Sequence, residues 1–247
     1  GLPPGRVEST LLANLADADL ALAVSPTLAD GLRRRQSGLE VGVLPNGCMP
    51  PEWFADTVTA VEPTSGFRPS AVAGLVGQLN ERLDLGLLEA VTAAGVPVRV
   101  LGPRADRDPV FGARLSRWLR SPLVDYRGLV HPSRLPTEMA HLTVGLTPYV
   151  DNDFNRASFP LKTLEYLAAG LVVVSSDLPA SRWLDSQDVV IAAEPADFAE
   201  RVRAAAASRP DEVGRSRRQA LAGRHTWSAR ADELLGLARV NPGNQPR

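Results

Sequence analysis

Apolar and polar positions along the chain alternate in blocks that are typical of short buried strands separated by amphipathic helices. The first 45 residues predict helices and strands in turn, at 9–18, 20–24, 28–35 and 40–44. Ser25-Pro26-Thr27 indicates the start of the second helix, because serine is a favoured N-cap and proline is tolerated in the first turn. These elements are too few to bury a core of their own.

A longer series of the same kind begins at Ala71. Its apolar runs predict strands at 71–76, 97–101, 123–126, 142–146, 171–174 and 189–192. Helical spacing of apolar residues predicts helices at 83–94, 109–119, 135–140, 196–207, 211–222 and 228–239. Strands and helices that alternate in this way form a parallel sheet with helices on both faces, so the sequence predicts a Rossmann-like α/β domain. The proline-rich stretch between the two blocks indicates a surface linker.

One further helix is predicted between Asn155 and Leu178, where the helix and strand signals are clearest. Ser158 is the expected N-cap of this helix, and Pro160 lies in its first turn, where a missing N–H costs little. Gly170 is the expected end, and the apolar run at 171–174 follows as a strand buried on both faces.

Two charged residues of this helix are candidates for binding a ligand. Lys162 is the only lysine in the chain, and Glu165 lies at the edge of the apolar stripe. A helix N-terminus attracts phosphate, and Glu165 lies roughly 7 Å beyond it at about 1.5 Å per residue. That step fits the distance from a diphosphate to the ribose of a nucleotide. An ordinary amphipathic helix with an edge carboxylate is the alternative, and this helix alone does not decide between them.

The composition excludes several classes of function. The net charge of −1 indicates neither a nucleic-acid partner nor a membrane surface, and Cys48, the only cysteine, excludes an intrachain disulfide and a thiolate metal cluster. No apolar run reaches the length of a transmembrane helix, and no signal peptide is present. The chain starts at Gly1 without a methionine, so we expect that its natural beginning is missing.

Ligands of parallel α/β sheets bind outside the carboxyl ends of the strands. The segments expected at that edge are 77–82, 102–103, 148–159 and 175–177. Gly77 would let a ligand approach the backbone closely, and Arg82 could contact phosphate oxygens. The spacing alone favours the alternative that Arg82 pairs with Glu81 or Asp84 on the surface. The turn after the first strand is not GxGxxG, so a nicotinamide or flavin cofactor is not supported.

Three segments together resemble the donor-binding half of group 1 (family 4) glycosyltransferases, above all bacterial enzymes of surface-polysaccharide synthesis. They are Asn80-Glu81-Arg82-Leu83-Asp84, the run from Phe159 to Gly170, and Val172-Val173-Val174. The resemblance covers residues 9–240. It implies the GT-B arrangement, in which a C-terminal Rossmann-like domain binds a nucleotide-sugar and an N-terminal domain mainly binds the acceptor, an acceptor sugar or lipid-linked glycan. It also implies transfer without a metal or other cofactor, in the cytoplasm or at the inner face of the membrane.

The same resemblance divides the chain. It implies a remnant of the N-terminal acceptor-side domain at 1–45, a linker at 46–70, the nucleotide-sugar-binding domain at 71–225, and a terminal crossover helix with a disordered tail at 226–247. Most of the N-terminal domain would then be missing. We therefore expect this chain to bind a donor but not to transfer the sugar by itself, and to self-associate through apolar surface that has lost its cover.

The implied donor-binding residues are Gly77, Gln78, Asn80, Arg82, Ser158, Phe159, Leu161, Lys162 and Glu165. Glu165 matches the second glutamate of the family's paired-glutamate motif, which binds the ribose hydroxyls, and Arg82 matches the residue that holds the diphosphate. The sequence departs from the pattern in two places: Ala157 occupies the position of the first glutamate, and Gln78 that of an arginine. Lys162 is therefore expected to supply part of the phosphate or sugar contact. No catalytic nucleophile is implied, because the leaving phosphate is thought to act as base in retaining members.

Other motifs point to weaker alternatives. Asp151-Asn152-Asp153 has the form of the DXD metal motif of the other large glycosyltransferase fold, but in a polar loop of this domain we interpret it as a solvated acidic turn. The three histidines share no ligand spacing, so no metal site is predicted. A nucleotide-sugar epimerase would need catalytic carboxylates and a histidine that the sequence does not identify. Ala157 leaves open a non-catalytic nucleotide-binding or interaction module.

Overall fold

The computed structural model describes residues 4–55, 71–159, 161–208 and 211–240 of the chain. The strands are β1 (Leu20–Ala23), β2 (Glu40–Val43), β3 (Ala73–Val76), β4 (Val98–Leu101), β5 (Val124–Tyr126), β6 (Val144–Thr147), β7 (Val172–Ser175) and β8 (Val189–Ile191). The helices up to the central one are α1 (Pro4–Ala16), α2 (Pro26–Arg35), α3 (Glu52–Ala55), α4 (Leu85–Ala93), α5 (Pro109–Leu119), α6 (Leu135–Met139), α7 (Asp153–Ala157) and α8 (Leu161–Ala168). Those that follow are α9 (Pro179–Trp183), α10 (Pro195–Ala207), α11 (Glu212–Gly223) and α12 (Trp227–Val240).

All of the predicted strands and long helices are present, and the short helices α3, α7 and α9 were not predicted. Helix α7 makes the prediction for Ser158 wrong. The Asn152 side chain accepts a hydrogen bond from the Asn155 N–H at 2.8 Å and so begins α7 ahead of the predicted helix. Ser158 therefore follows α7 as its C-cap, and its hydroxyl donates to the Phe154 carbonyl at 2.7 Å instead of capping α8. Pro160 and the tail 241–247 lie outside the described residues.

The six strands from β3 to β8 form one parallel sheet in the order β5-β4-β3-β6-β7-β8. This order is that of the doubly wound dinucleotide-binding fold, and the chain reverses direction across the sheet between β3 and β6. The predicted parallel α/β sheet is confirmed. Strands β1 and β2 form a separate two-stranded parallel sheet.

Two apolar cores lie on opposite faces of the large sheet, because alternate residues of each strand point to opposite sides. In β3, Ala73 and Leu75 face one core, which α4, α5 and α10 cover, and Val76 faces the other. Helices α3, α6, α8, α9 and α11 pack on that second face. The predicted covering of the sheet by helices on both faces is therefore present.

The boundary between β3 and β6 is held open by Tyr166 of α8. The two strands pair only at Ala73–Val144 and Gly74–Gly145, and a Cβ on Gly145 would lie 2.2 Å from the buried Tyr166 ring. The Tyr166 hydroxyl donates to the Gly74 carbonyl at 2.9 Å and accepts from the Val76 N–H at 2.8 Å. Burial raises the pKa of Tyr166 well above its ordinary value, so the hydroxyl keeps its proton. This contact fixes α8 against the sheet where β3 and β6 separate.

The opening segment packs on the large domain and on the end of the chain. The Ser25 hydroxyl, besides capping α2, donates to the Ala157 carbonyl at 2.6 Å. Further on, the Cys48 N–H donates to the His225 carbonyl at 2.9 Å, and the Trp227 N–H donates to the Cys48 carbonyl at 3.1 Å. These backbone bonds join the segment after β2 to the start of α12, although the domain boundaries near residues 45 and 225 stay predictions. Within the described ranges, none of the helices has the length and hydropathy needed to cross a bilayer.

Replacing Tyr166 by phenylalanine tests the role of its hydroxyl. Tyr166→Phe keeps the ring but leaves the buried Val76 N–H and Gly74 carbonyl without this partner, so we expect a loss of about 1–3 kcal/mol of unfolding free energy. Tyr126→Phe, at a partly exposed tyrosine in β5, is the matched control and should change stability by less than about 0.5 kcal/mol. Urea denaturation measures both, and equal losses in the two variants would contradict the assigned role.

Candidate functional site

The candidate site is the crevice at the carboxyl ends of β3 and β6. The loops after these neighbouring strands, residues 77–82 and 148–152, leave the sheet on opposite sides of the reversal in strand order. Helix α8, held there by Tyr166, forms another wall. In sheets of this topology, ligands bind at this position.

Three neighbouring strands are each followed at this edge by a glycine with positive φ. The φ values are +137° at Gly77 after β3, +148° at Gly102 after β4 and +64° at Gly128 after β5. The Gly77 N–H donates to the Leu101 carbonyl at 2.9 Å, and the Gly102 N–H donates to the Gly128 carbonyl at 2.7 Å. A Cβ on Gly102 would lie 1.9 Å from the Gly77 oxygen. Gly128 was not predicted, although a glycine two residues after a predicted strand was the available signal.

Lys162 and Glu165 form an ion pair near Gly77, the glycine that follows β3. The Lys162 Nζ lies 2.5 Å from Glu165 Oε2, and a Cβ on Gly77 would lie 3.8 Å from Lys162 Cε. The two side chains retain 24% and 13% of their exposure. The glutamate and the lysine of the predicted site therefore lie together at the crevice, partly shielded from water. Burial of Cys48 raises the pKa of its thiol to about 11, and the negative charge of Glu165 is the second cause of this shift. The cysteine therefore stays protonated.

Arg82 is held by neutral groups. Its Nε donates to Asn155 Oδ1 at 2.9 Å, and its guanidinium carbon lies 4.6 Å from the centre of the Phe154 ring and 5.4 Å from that of Tyr149. Neither carboxylate expected as an alternative partner contacts it.

Those two carboxylates are engaged by backbone N–H groups instead. Glu81 accepts from the N–H groups of Arg107 and Asp108, which lower its pKa. Asp84 caps α4 by accepting from the Gly86 N–H at 2.8 Å. The surface ion pair of Arg82 with Glu81 or Asp84 is therefore absent, and that alternative is wrong.

The other predicted residues differ in their exposure and in their contacts. Gln78 is exposed, and Asn80 Oδ1 accepts from the Arg82 N–H at 3.1 Å, which shapes the loop. Leu161 is half-buried. Phe159 is buried edge-on against Trp183 of α9, with ring centres 5.4 Å apart, so it anchors the loop before α8.

The segments after β6 and β7 are tied together behind the crevice. The buried Ser176 hydroxyl accepts from the Tyr149 N–H at 3.0 Å and donates to the Thr147 carbonyl at 3.2 Å. Asp177 forms a two-bond pair with Arg182, at 2.6 and 2.7 Å. These residues brace the loops, and none of them contacts Arg82, Lys162 or Glu165 in a hydrogen bond.

The Asp151-Asn152-Asp153 motif is part of the start of α7. Asp151 pairs with Arg156 through two bonds of 2.5 and 2.6 Å, Asn152 caps the helix, and Asp153 lies in its first turn. Across the described ranges, no three histidine, cysteine or acidic side chains are grouped so as to hold a metal ion. Whether the site works without metal stays a prediction.

The comparison with protein families identifies the chain. Residues 85–236 match the family described as "Glycosyl transferase-like". The chain belongs to this family. The match includes α8 with Lys162 and Glu165, whereas Gly77 and Arg82 precede it, so their place in the site rests on the sheet topology.

Individual relatives agree with the family. The "Putative teichuronic acid biosynthesis glycosyltransferase TuaH" of Bacillus subtilis (strain 168) is 29% identical over 173 residues, which are 68% of this chain and 43% of that protein. The chain thus spans less than half the length of this curated relative.

Solved structures show the GT-B glycosyltransferase fold. HepE of Anabaena, in complex with UDP and glucose, matches with a TM-score of 0.71 at 15% identity, over 97% of this chain and 68% of that one. A UDP-forming α,α-trehalose-phosphate synthase of Burkholderia xenovorans matches with a TM-score of 0.69 at 17% identity, over 96% of this chain and 64% of that one.

Alanine at Gly102 tests the close approach of β3 and β4 at the crevice. Gly102→Ala places a Cβ on the Gly77 carbonyl in addition to straining a positive φ, whereas no described atom lies within 4 Å of a Cβ on Gly128. We expect Gly128→Ala to lose about 1–2 kcal/mol of unfolding free energy from φ alone, and Gly102→Ala to lose at least about 1 kcal/mol more through overpacking. Urea denaturation compares them, and equal losses would mean that the two strand ends do not touch.

Proposed function

We propose that this chain binds the nucleoside diphosphate of a sugar donor in the crevice between β3 and β6. In this proposal it is the C-terminal, donor-binding half of a GT-B glycosyltransferase of group 1 (family 4). The observation that carries the proposal is the Lys162–Glu165 pair beside the bare end of β3, with Arg82 on the loop that follows this strand.

The diphosphate would be bound by Arg82 and Lys162. Among the described residues no hydrogen bond or ion pair uses the Nη atoms of Arg82, so these donors are available to phosphate oxygens. Lys162 lies in the first turn of α8, where the helix dipole adds to its positive charge. Gly77, which has no side chain, leaves room for the ligand next to Lys162.

The ribose would be bound by Glu165, one turn further along α8. A carboxylate can accept hydrogen bonds from both ribose hydroxyls, and such charged bonds are stronger than neutral ones. In the free protein Lys162 occupies one carboxylate oxygen of Glu165. With a nucleotide bound, Glu165 would bind the ribose hydroxyls and Lys162 would bind the phosphate.

Sugar transfer would depend on stabilisation of the departing diphosphate by these groups. Arg82, Lys162 and the N-terminus of α8 would stabilise its charge as the bond between the sugar and the diphosphate of the donor breaks and the sugar passes to the acceptor, without a metal or other cofactor. Binding of the acceptor, a sugar or a lipid-linked glycan, would need an acceptor-side domain. The transfer would take place in the cytoplasm or at the inner face of the membrane. The name of TuaH supports polysaccharide synthesis, and the UDP and glucose of the HepE complex support UDP as the first nucleotide to test.

Alanine at Glu165 tests the ribose contact. Glu165→Ala should weaken UDP binding by about 1.5–3 kcal/mol, the contribution of a charged hydrogen bond. Glu200→Ala, which removes an exposed glutamate paired with Arg203 on α10, is the matched control and should leave UDP affinity unchanged. Titration calorimetry of the folded variants measures both. Equal affinity of wild type and Glu165→Ala would remove this glutamate from the site. A wild-type chain that binds neither UDP nor any other nucleoside diphosphate would overturn the proposal.

Chelation tests whether the donor is bound without metal. Because Asp151 is paired with Arg156 and Asn152 caps α7, UDP affinity should be nearly the same in EDTA and in magnesium or manganese. The variant with Asp151→Asn and Asp153→Asn should also bind UDP normally. A tenfold loss on chelation, about 1.4 kcal/mol of binding free energy, would show that a metal takes part.

A further inference from the structure

Asn155 is a buried polar residue whose side-chain amide is directed at Arg82. It lies in α7 with only 2% of its surface exposed. Its Oδ1 accepts from Arg82 Nε at 2.9 Å, and its Nδ2 donates to the carbonyls of Arg82, at 3.2 Å, and of Val150, at 2.9 Å. One amide thus holds both the side chain and the main chain of an arginine that is 73 residues away.

These bonds engage both ends of the amide. A primary amide has two N–H donors and a carbonyl oxygen, and here both donors and the oxygen have partners. An aspartate would lack the two donors, and alanine would leave the carbonyls of Arg82 and Val150 without these bonds. An amide at this position therefore joins the loop after β3 to the loop after β6, across the strands that separate at the crevice.

The partner of Arg82 is neutral, in contrast to other arginines of the domain. Arg104, Arg156 and Arg182 are each held by the carboxylate of an aspartate, which compensates their charge. Asn155 holds Arg82 without supplying a negative charge. The positive charge of Arg82 therefore remains available to an anion at the crevice.

The orientation of the guanidinium follows from Asn155 and an aromatic ring. Phe154, next to Asn155, lies under the guanidinium at 4.6 Å, yet 61% of the residue is exposed. An aromatic face attracts a cation and limits tilting of its plane. Because Nε is engaged by Asn155, the two Nη groups form the free edge, and that edge can bind phosphate through two parallel hydrogen bonds.

We propose that Asn155 is a positioning residue that holds Arg82 with its Nη edge presented to the diphosphate of the donor. This inference rests on the proposed function. Asn155 itself does not touch the ligand. Its contribution is therefore limited to the part of the affinity that depends on phosphate, and it should act only through Arg82.

The experiment compares the affinities of wild type and Asn155→Ala for UDP, by calorimetry, and for uridine, by NMR titration. Asn155→Ala should weaken UDP binding about tenfold, as for the loss of a charged hydrogen bond, and leave uridine binding nearly unchanged. In the Arg82→Ala background, Asn155→Ala should have no further effect on UDP affinity, because coupled residues are not additive.

Asn152→Ala is the matched control. It removes the N-cap of the same short helix but has no bond to Arg82, so it should leave the ratio of UDP to uridine affinity as in wild type. If Asn152→Ala lowers this ratio as much as Asn155→Ala does, the effect is a general loosening of α7 and the inference is overturned. If Asn155→Ala fails to fold, Arg82→Lys replaces it, because a lysine keeps the charge but has no Nε to be held.

Arg82→Lys should also lose about tenfold in UDP affinity with little change for uridine. UDP binding by the wild type together with unchanged affinity in Asn155→Ala or Arg82→Lys would overturn the inference and leave the proposed function standing. A wild-type chain that binds neither UDP nor any other nucleoside diphosphate would overturn both.

Discussion

Two neighbouring strands, β3 and β6, separate after Gly74 and Gly145, and the hydroxyl of Tyr166 fills the space between them. Backbone groups of β3 that have lost their strand partner would otherwise be buried without hydrogen bonds, which is costly. Glycine at 145 makes room for the ring, because any Cβ there would overlap it. The sheet can therefore open at the reversal of strand order without leaving these backbone groups unpaired. This opening is the candidate site.

The charged groups of the site depend on this opening. Tyr166 follows Glu165 directly in α8. The hydrogen bonds of its hydroxyl with β3 therefore also fix the position of Lys162 and Glu165 relative to the strand ends. Across the crevice, Arg82 is oriented by an amide and aromatic rings and keeps its uncompensated charge. Arg82, which is held by neutral contacts, thus lies on the loop after β3, and Lys162, which is paired with Glu165, lies near the glycine backbone at the end of this strand. In the proposed function, these two cations bind the diphosphate.

The opening segment of the chain supports the same region from outside. The Ser25 hydroxyl binds the Ala157 carbonyl, and the Asn46 side chain donates to the Phe159 carbonyl at 3.3 Å. The first contact falls on the last residue of α7 and the second on the loop between α7 and α8. The segments that follow β1 and β2 thus support the chain beside the crevice through side-chain bonds to its carbonyls, even though they provide none of the charged residues considered for the donor.

Local patterns were sufficient for the strands, the long helices and the parallel α/β class of the fold. Helix α5 spans the predicted residues 109–119, because Asp108 and Pro109 start it and apolar residues recur at helical spacing, and the buried strands followed from their apolar runs. The resemblance to a glycosyltransferase family also came from the sequence, through the segment around Lys162 and Glu165. Helix α7 was missed because five residues are too few to show a period, and the cap signal at Ser158 then belonged to a different helix.

Only the tertiary structure determined the partners of the site residues. Spacing offered Glu81 and Asp84 to Arg82, but both bind backbone N–H groups, and Arg82 is bound by Asn155 of α7, 73 residues further along the chain. The sequence shows neither this pairing nor the contact of Tyr166 with β3, because each joins residues more than 70 positions apart. Such contacts follow from the order of strands in the sheet. Local propensities predicted the strands themselves, whereas their order depends on how the complete set of helices and strands packs.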